Sequence, residues 1–191
     1  MRVGVLSYPM LFQRHGGLQV QIRETISELQ RLAPAGALTV ELADPVRASL
    51  ADYDVLHVFS AVNGNHRIIE TARDLGVPTV LSPLVSPSWN RGSALRARIA
   101  SGLARHLTGG DVQTSFSQIE SALHKASLLV ALGEPERAAM MSAFRIDAAR
   151  IRIVPNGIGA RFFDADGALF RERFGLHGDF ALMVGAVSPY K

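Results

Sequence analysis

The chain has no cysteine among its 191 residues, which excludes disulfides, thiolate metal sites and cysteine nucleophiles. It also lacks any run of about 18 unbroken apolar residues, so no segment reads as a membrane-spanning helix. The amino-terminal MRVGVLSYPM has no long apolar core of the signal-peptide kind, and a cytoplasmic location is the expectation. Lysine is nearly missing: only Lys125 and Lys191 are present, and arginine carries the formal net charge of +3. Such usage fits a GC-rich bacterial genome better than a nucleic-acid binder, because no arginine cluster interleaves with aromatics. Catalytic signatures are scarce too. There is no Gly-x-Ser-x-Gly nucleophile elbow, no Walker A loop, no full Gly-x-Gly-x-x-Gly fingerprint and no histidine–carboxylate group at metal-ligand spacing.

What remains is a chain of ordinary charge whose apolar residues make up 48% of the total, the composition of a globular domain. Its length suits one well-sized α/β domain, or one domain and part of a second. The clearest organisation lies in ASLLVALGEPERAAMMSAFRIDAARIRIVPNGIGARFF, residues 126–163. An apolar run at Leu128–Leu132, a helical stretch and a second apolar run at Ile151–Val154 make a βαβ unit. Such a unit requires a parallel sheet with both faces covered. Pro155 ends the second strand because it cannot donate to a central ladder. Asn156 and Gly157 tolerate the positive φ of a sharp turn, and ligands of open α/β sheets bind at the carboxyl ends of strands.

The same alternation runs through the rest of the chain. Strands are predicted at Arg2–Leu6, Leu38–Leu42, Asp54–Ser60, Thr79–Leu81 and Phe180–Val184. Helices are predicted at Leu18–Leu32, Gly64–Leu75, Trp89–Leu107 and Val112–Lys125. In the first, Leu18, Ile22, Ile26, Leu29 and Leu32 share one face. In the second, Ile68, Ile69, Ala72 and Leu75 point inward. Gly16-Gly17 sits between the first strand and its helix, where backbone amides and the helix dipole favour anionic groups. Arg14 and His15 belong to the same loop, and His15 is a candidate acceptor or phosphate contact. Acids at Glu134 and Glu136 fall in a first helical turn, where the dipole alone accounts for them. The segment WNRGSALRARIASGLARHL is cationic without an acid, and Leu95, Ile99, Leu103 and Leu107 recur along it. Its stripe is expected to dock on the core with the cations in solvent. A cationic amphipathic helix can also lie on a lipid surface, which is the second reading of residues 89–107.

The order of these stretches, from the first strand to FALMVGAVSPYK, resembles the retaining GT-B glycosyltransferases of the group 4 type. The resemblance implies a Rossmann-like three-layer α/β domain with a parallel sheet of about six or seven strands, the amino-terminal half of a GT-B fold. It implies an acceptor-side domain over 1–160, an interdomain linker over 161–178, and the first strand and loop of a donor domain over 179–191. The 191 residues then read as a fragment that is inactive alone. In full length, the implied activity is a hexosyltransferase-like transfer of sugar from a nucleotide diphosphate to a hydroxyl, with retention and without a metal. No cofactor is implied, since the nucleotide sugar is a substrate. The implied partners are that donor, a sugar or lipid-linked acceptor and the missing carboxyl-terminal domain, at the inner face of the membrane if helix 89–107 is interfacial.

Site residues follow residue by residue. Gly16 and Gly17 fall where the family's glycine pair faces the donor diphosphate. Lys191 falls on a donor-domain lysine, while Ala186 replaces the arginine of that cationic pair. His57 matches a strand histidine, but Phe59 stands where a second polar residue is common. Ser82-Pro83 replaces a histidine credited with a role near the reacting sugar, so no catalytic residue is assigned. Ser82, Asn156 and Gly157 remain secondary candidates. Two other functions stay open: a non-catalytic acceptor-binding or assembly module of a split glycosyltransferase, and, more distantly, a nucleotide-sugar epimerase.

Overall fold

The computed structural model describes residues 1–13, 16–34, 36–109, 112–164 and 166–185. They divide into two compact units, Met1–Asn156 and Gly157–Lys191. The first unit is built on a sheet of six parallel strands: β1 (Arg2–Leu6), β2 (Thr39–Leu42), β3 (Val55–Phe59), β4 (Thr79–Ser82), β5 (Leu128–Ala131) and β6 (Ile151–Ile153). Their order is β2-β1-β3-β4-β5-β6. Five helices connect them: α1 (Gly17–Leu32), α2 (Asn65–Asp74), α3 (Arg91–Leu107), α4 (Ser115–Lys125) and α5 (Glu134–Phe144). This is the Rossmann-like three-layer α/β architecture expected from the alternation of apolar runs and helical stretches.

Alternate side chains of each strand feed two separate cores. On one face, Val3, Val5, Val40 and Phe59 pack with Ile22 of α1 and Leu11 of a 3-10 turn. On the other, Leu6, Leu56, Val58, Leu81 and Leu129 pack with residues of α2, α4 and α5, among them Ile69, Leu123 and Met140. Gly4 in β1 is required by packing. A Cβ there would come 2.8 Å from Leu56 Cδ2 and 2.8 Å from the Tyr53 ring.

Local chemistry explains the helix boundaries. Asn90 caps α3 in a reciprocal capping box with Ser93, and the Thr114 hydroxyl accepts from Ser117 N at the start of α4. Thr114 therefore starts α4 later than the predicted Val112. Only part of the α1 stripe is covered: Ile22 is buried, whereas Leu29 and Leu32 are exposed. Leu75 is likewise exposed at the end of α2.

The largest departure concerns α3. Its stripe of Leu95, Ile99, Leu103 and Leu107, expected on the core, is 58%, 65%, 58% and 73% exposed. The helix docks instead through small residues, with Ala94 buried and Ala97 packed against the core. The reason is its place: α3 lies on α4 and α5, where close backbone approach favours alanine and serine over leucine. Ser101 Oγ and Thr114 Oγ1 share a hydrogen bond of 2.6 Å across that contact. Arg98 turns inward as well, donating to Glu120 at 2.7 Å and lying over the Phe116 ring.

In the second unit, a 3-10 turn (Ala160–Phe162) precedes a short helix, α6 (Ala168–Phe174). The strand predicted at Phe180–Val184 does not form. A strand needs a ladder partner, and the described residues of this unit supply none. Phe180 stacks on Phe170 of α6 instead, with Arg171 over its ring. The described helices include none long and apolar enough to cross a membrane.

Candidate functional site

The chain leaves β1 in one direction to form β2 and returns on the other side to form β3. The carboxyl ends of β1 and β3 therefore flank the topological switch point, the place where α/β sheets of this kind open a ligand crevice. Strong local bonding builds this rim. The Phe59 carbonyl at the end of β3 accepts from Ser7 Oγ and from Asn65 Nδ2, each at 2.9 Å. Asn65 Nδ2 also donates to the Ser60 carbonyl at 3.0 Å, while its buried Oδ1 has no partner among the described residues. Beyond the strands, Ser60 N still donates to Ser82 O and Ala61 N to Pro83 O.

Backbone strain concentrates at the same edge. Ser60, Asn63 and Leu84 have φ of 74°, 61° and 57°, left-handed values that cost side-chain-bearing residues free energy. All three follow β3 or β4, two neighbouring strands. Arg145, the other such residue described, is accounted for as the left-handed cap of α5.

Gly16 and Gly17 enter this rim as the cap and first residue of α1. Both are exposed, and Gly16 is extended at φ −174°, a conformation open to any residue. A Cβ at either position would meet nothing within 4 Å. In contrast to Gly4, the fold itself asks for no glycine here. No side chain caps α1 and no acid occupies its first turn, so its first amides are not answered by a local carboxylate. His15 and Lys191, with Arg14 and Ala186, lie outside the described residues.

The secondary candidates separate into two places. His57 Nε2 and Ser82 Oγ are 2.9 Å apart, joining β3 to β4 on the α1 face of the sheet. The imidazole stacks on Phe59, with centroids 4.3 Å apart. Burial pushes its pKa down to about 4, so the ring is neutral at physiological pH and offers no cationic contact to a phosphate. Asn156 meets α1 directly: Gln21 Nε2 donates to its Oδ1 at 2.8 Å. The expected sharp turn does not form, and neither Asn156 nor Gly157 has a positive φ. Gly157 begins the second unit.

Further along the rim, a cleft of about 410 Å³ follows β4 and β5, lined mainly by Leu84, Val85, Pro87, Leu132 and Pro135. At its base Glu136 is 5% exposed. Its two oxygens accept from Val85 N at 2.7 Å and Leu132 N at 2.8 Å. The carboxylate thus holds two loops together, a role that sequence reading assigned to neither acid of the α5 first turn. Glu134, by contrast, is exposed and pairs with Arg137 at 2.7 Å. Asn65 was missed and Glu136 was read only for its place in a helical turn, because their partners are main-chain groups of Phe59, Ser60, Val85 and Leu132, which no residue type in the sequence marks.

Compared with protein-family models and with curated proteins, the chain matches none.

Proposed function

We propose that the chain is the acceptor-side domain of a retaining glycosyltransferase that moves a sugar from a nucleotide diphosphate to an acceptor hydroxyl. The observation that carries this reading is the glycine pair at the start of α1. Two successive glycines stand at the switch-point rim where neither backbone angles nor neighbouring atoms demand glycine. A large anionic group approaching the backbone gives them a purpose, since side chains there would keep it from the amides.

In the reaction, the bond from the anomeric carbon to the diphosphate oxygen breaks and a bond to the acceptor oxygen forms. The acceptor gives up its hydroxyl proton, and negative charge grows on the departing diphosphate. Amides at the α1 terminus favour that charge and need not reorganise when it appears. The neutral His57–Ser82 pair and the Glu136 brace fix the strands and loops that present the rim. Donor binding by a further domain, and the lysine at position 191, belong to the same proposal.

The test is sugar-nucleotide binding and product analysis on the protein encoded by the full reading frame. A donor-dependent rise in melting temperature, with transfer to an acceptor and no free epimerised donor, supports the reading. Loss of that shift in the 191-residue chain places donor recognition beyond it. Epimerised sugar nucleotide without transfer, or no response to any sugar nucleotide, overturns it.

A further inference from the structure

The exposed face of α3 is an anomaly for a folded domain. Four large aliphatic side chains, Leu95, Ile99, Leu103 and Leu107, stand in solvent along a helix that turns Ala94, Ala97 and Arg98 inward instead. Isolated exposed leucines need no explanation, but a contiguous row on one element does. At 3.6 residues per turn, Arg96 and His106 fall within the same face and Arg91 borders it. α3 contains no acid. The one arginine of α3 in an ion pair among the described residues is Arg98, which turns inward to Glu120; Arg91, Arg96 and Arg105 have no carboxylate partner there.

We infer that α3 is an interfacial helix by which the domain rests on an anionic lipid surface. Charge decides among occupants. A second copy meeting this face across a two-fold axis would bring arginine against arginine, with no acid on α3 to offset them. An anionic bilayer offers phosphates at its surface for Arg91 and Arg96, and an acyl boundary just below for the aliphatic row. Arginine stems can lie along apolar surface with their charged ends in the headgroups. Gly102 and the modest length of the row fit a shallow seat in the interface. Trp89 lies outside this seat, packed at 5.4 Å and 5.7 Å on Phe116 and Phe144, so it reports on the fold and not on lipid.

The experiment is co-sedimentation of the full chain with vesicles of phosphatidylcholine alone and with about one-third phosphatidylglycerol. Binding is expected to the anionic vesicles only, weakening as salt shortens the screening length. Removing charge in Arg91→Gln/Arg96→Gln should weaken it roughly 30-fold, at about fivefold for each arginine. Leu95→Gln/Leu103→Gln should weaken it on the order of 100-fold, because buried leucines are lost. The milder Leu103→Gln should weaken it on the order of tenfold. All three variants should keep the wild-type circular dichroism and Trp89 emission. Equal binding to neutral vesicles, no binding to either, or unaltered binding by the variants overturns the inference. So does self-association without lipid that Leu103→Gln abolishes, which would give the face to a second copy. These outcomes do not depend on whether the domain serves sugar transfer.

Discussion

Replacing His57 with asparagine should remove a pH dependence of stability that the wild-type chain carries between neutral pH and pH 5. Burial between β3, β4 and the Phe59 ring lowers the imidazole from its ordinary 6.5 to about 4, with no charged neighbour contributing. The unfolded chain takes up this proton near 6.5, whereas the folded chain refuses it until about pH 4. Stability from the neutral ring is therefore complete above the unfolded value and falls as pH drops through the window. Each pH unit in that window is worth about 1.4 kcal/mol, so passing from pH 7 to pH 5 costs the folded state about 2 kcal/mol. Urea unfolding followed by Trp89 fluorescence at pH 5, 6 and 7 measures it. Comparing wild type with His57→Asn cancels the other groups. Among them, Glu41 and Glu70 are lowered by Arg2 and Lys125, and their contribution fades only in more acidic solution. The variant should lose about 2 kcal/mol less than wild type across this range. Equal losses, or an imidazole that titrates near 6.5 by NMR, would refute the burial argument.

Other substitutions probe the packing and the rim. Gly4→Ala should destabilise the chain by about 1–3 kcal/mol in urea, because its methyl group meets Leu56 and Tyr53 at sub-contact distance. An unchanged midpoint would mean that β1 can shift aside freely. Glu136→Ala strips one buried and one partly buried amide of their acceptor and should cost about 2–4 kcal/mol. Hydrogen exchange at Val85 and Leu132 should accelerate in the same variant, and unchanged protection there would contradict the brace.

The sheet was legible because buried parallel strands are short apolar runs between helical stretches, and β1, β3 and β5 show this plainly. The extent of burial was less so. Helical spacing grouped Leu95, Ile99, Leu103 and Leu107 on one face correctly, but spacing does not say whether a face meets protein or solvent. That depended on α3 docking upon α4 and α5 through Ala94 and Ala97. Phe180–Val184 had a strand's composition and no strand to pair with, a condition that composition does not carry. At the site, the glycine pair announced itself as two adjacent glycines between strand and helix. Neither the partnership of His57 with Ser82 nor that of Gln21 with Asn156 could be read from the chain. They join residues 25 and 135 positions apart: strand register brings the first pair together, and the second meets only because α1 approaches the chain that follows β6.

The central claim is that Gly16 and Gly17 are there for a ligand and not for the fold. Gly17→Ala in the protein expressed from its full reading frame tests it, with kcat/KM for the proposed sugar transfer and the unfolding free energy measured on the same protein. The expected stability change is neutral or a gain of up to about 1 kcal/mol, since alanine suits a helix better than glycine. The expected kcat/KM falls by about tenfold or more, as a methyl group obstructs approach to the amides. Undiminished transfer, or a loss matched by unfolding, would contradict the claim.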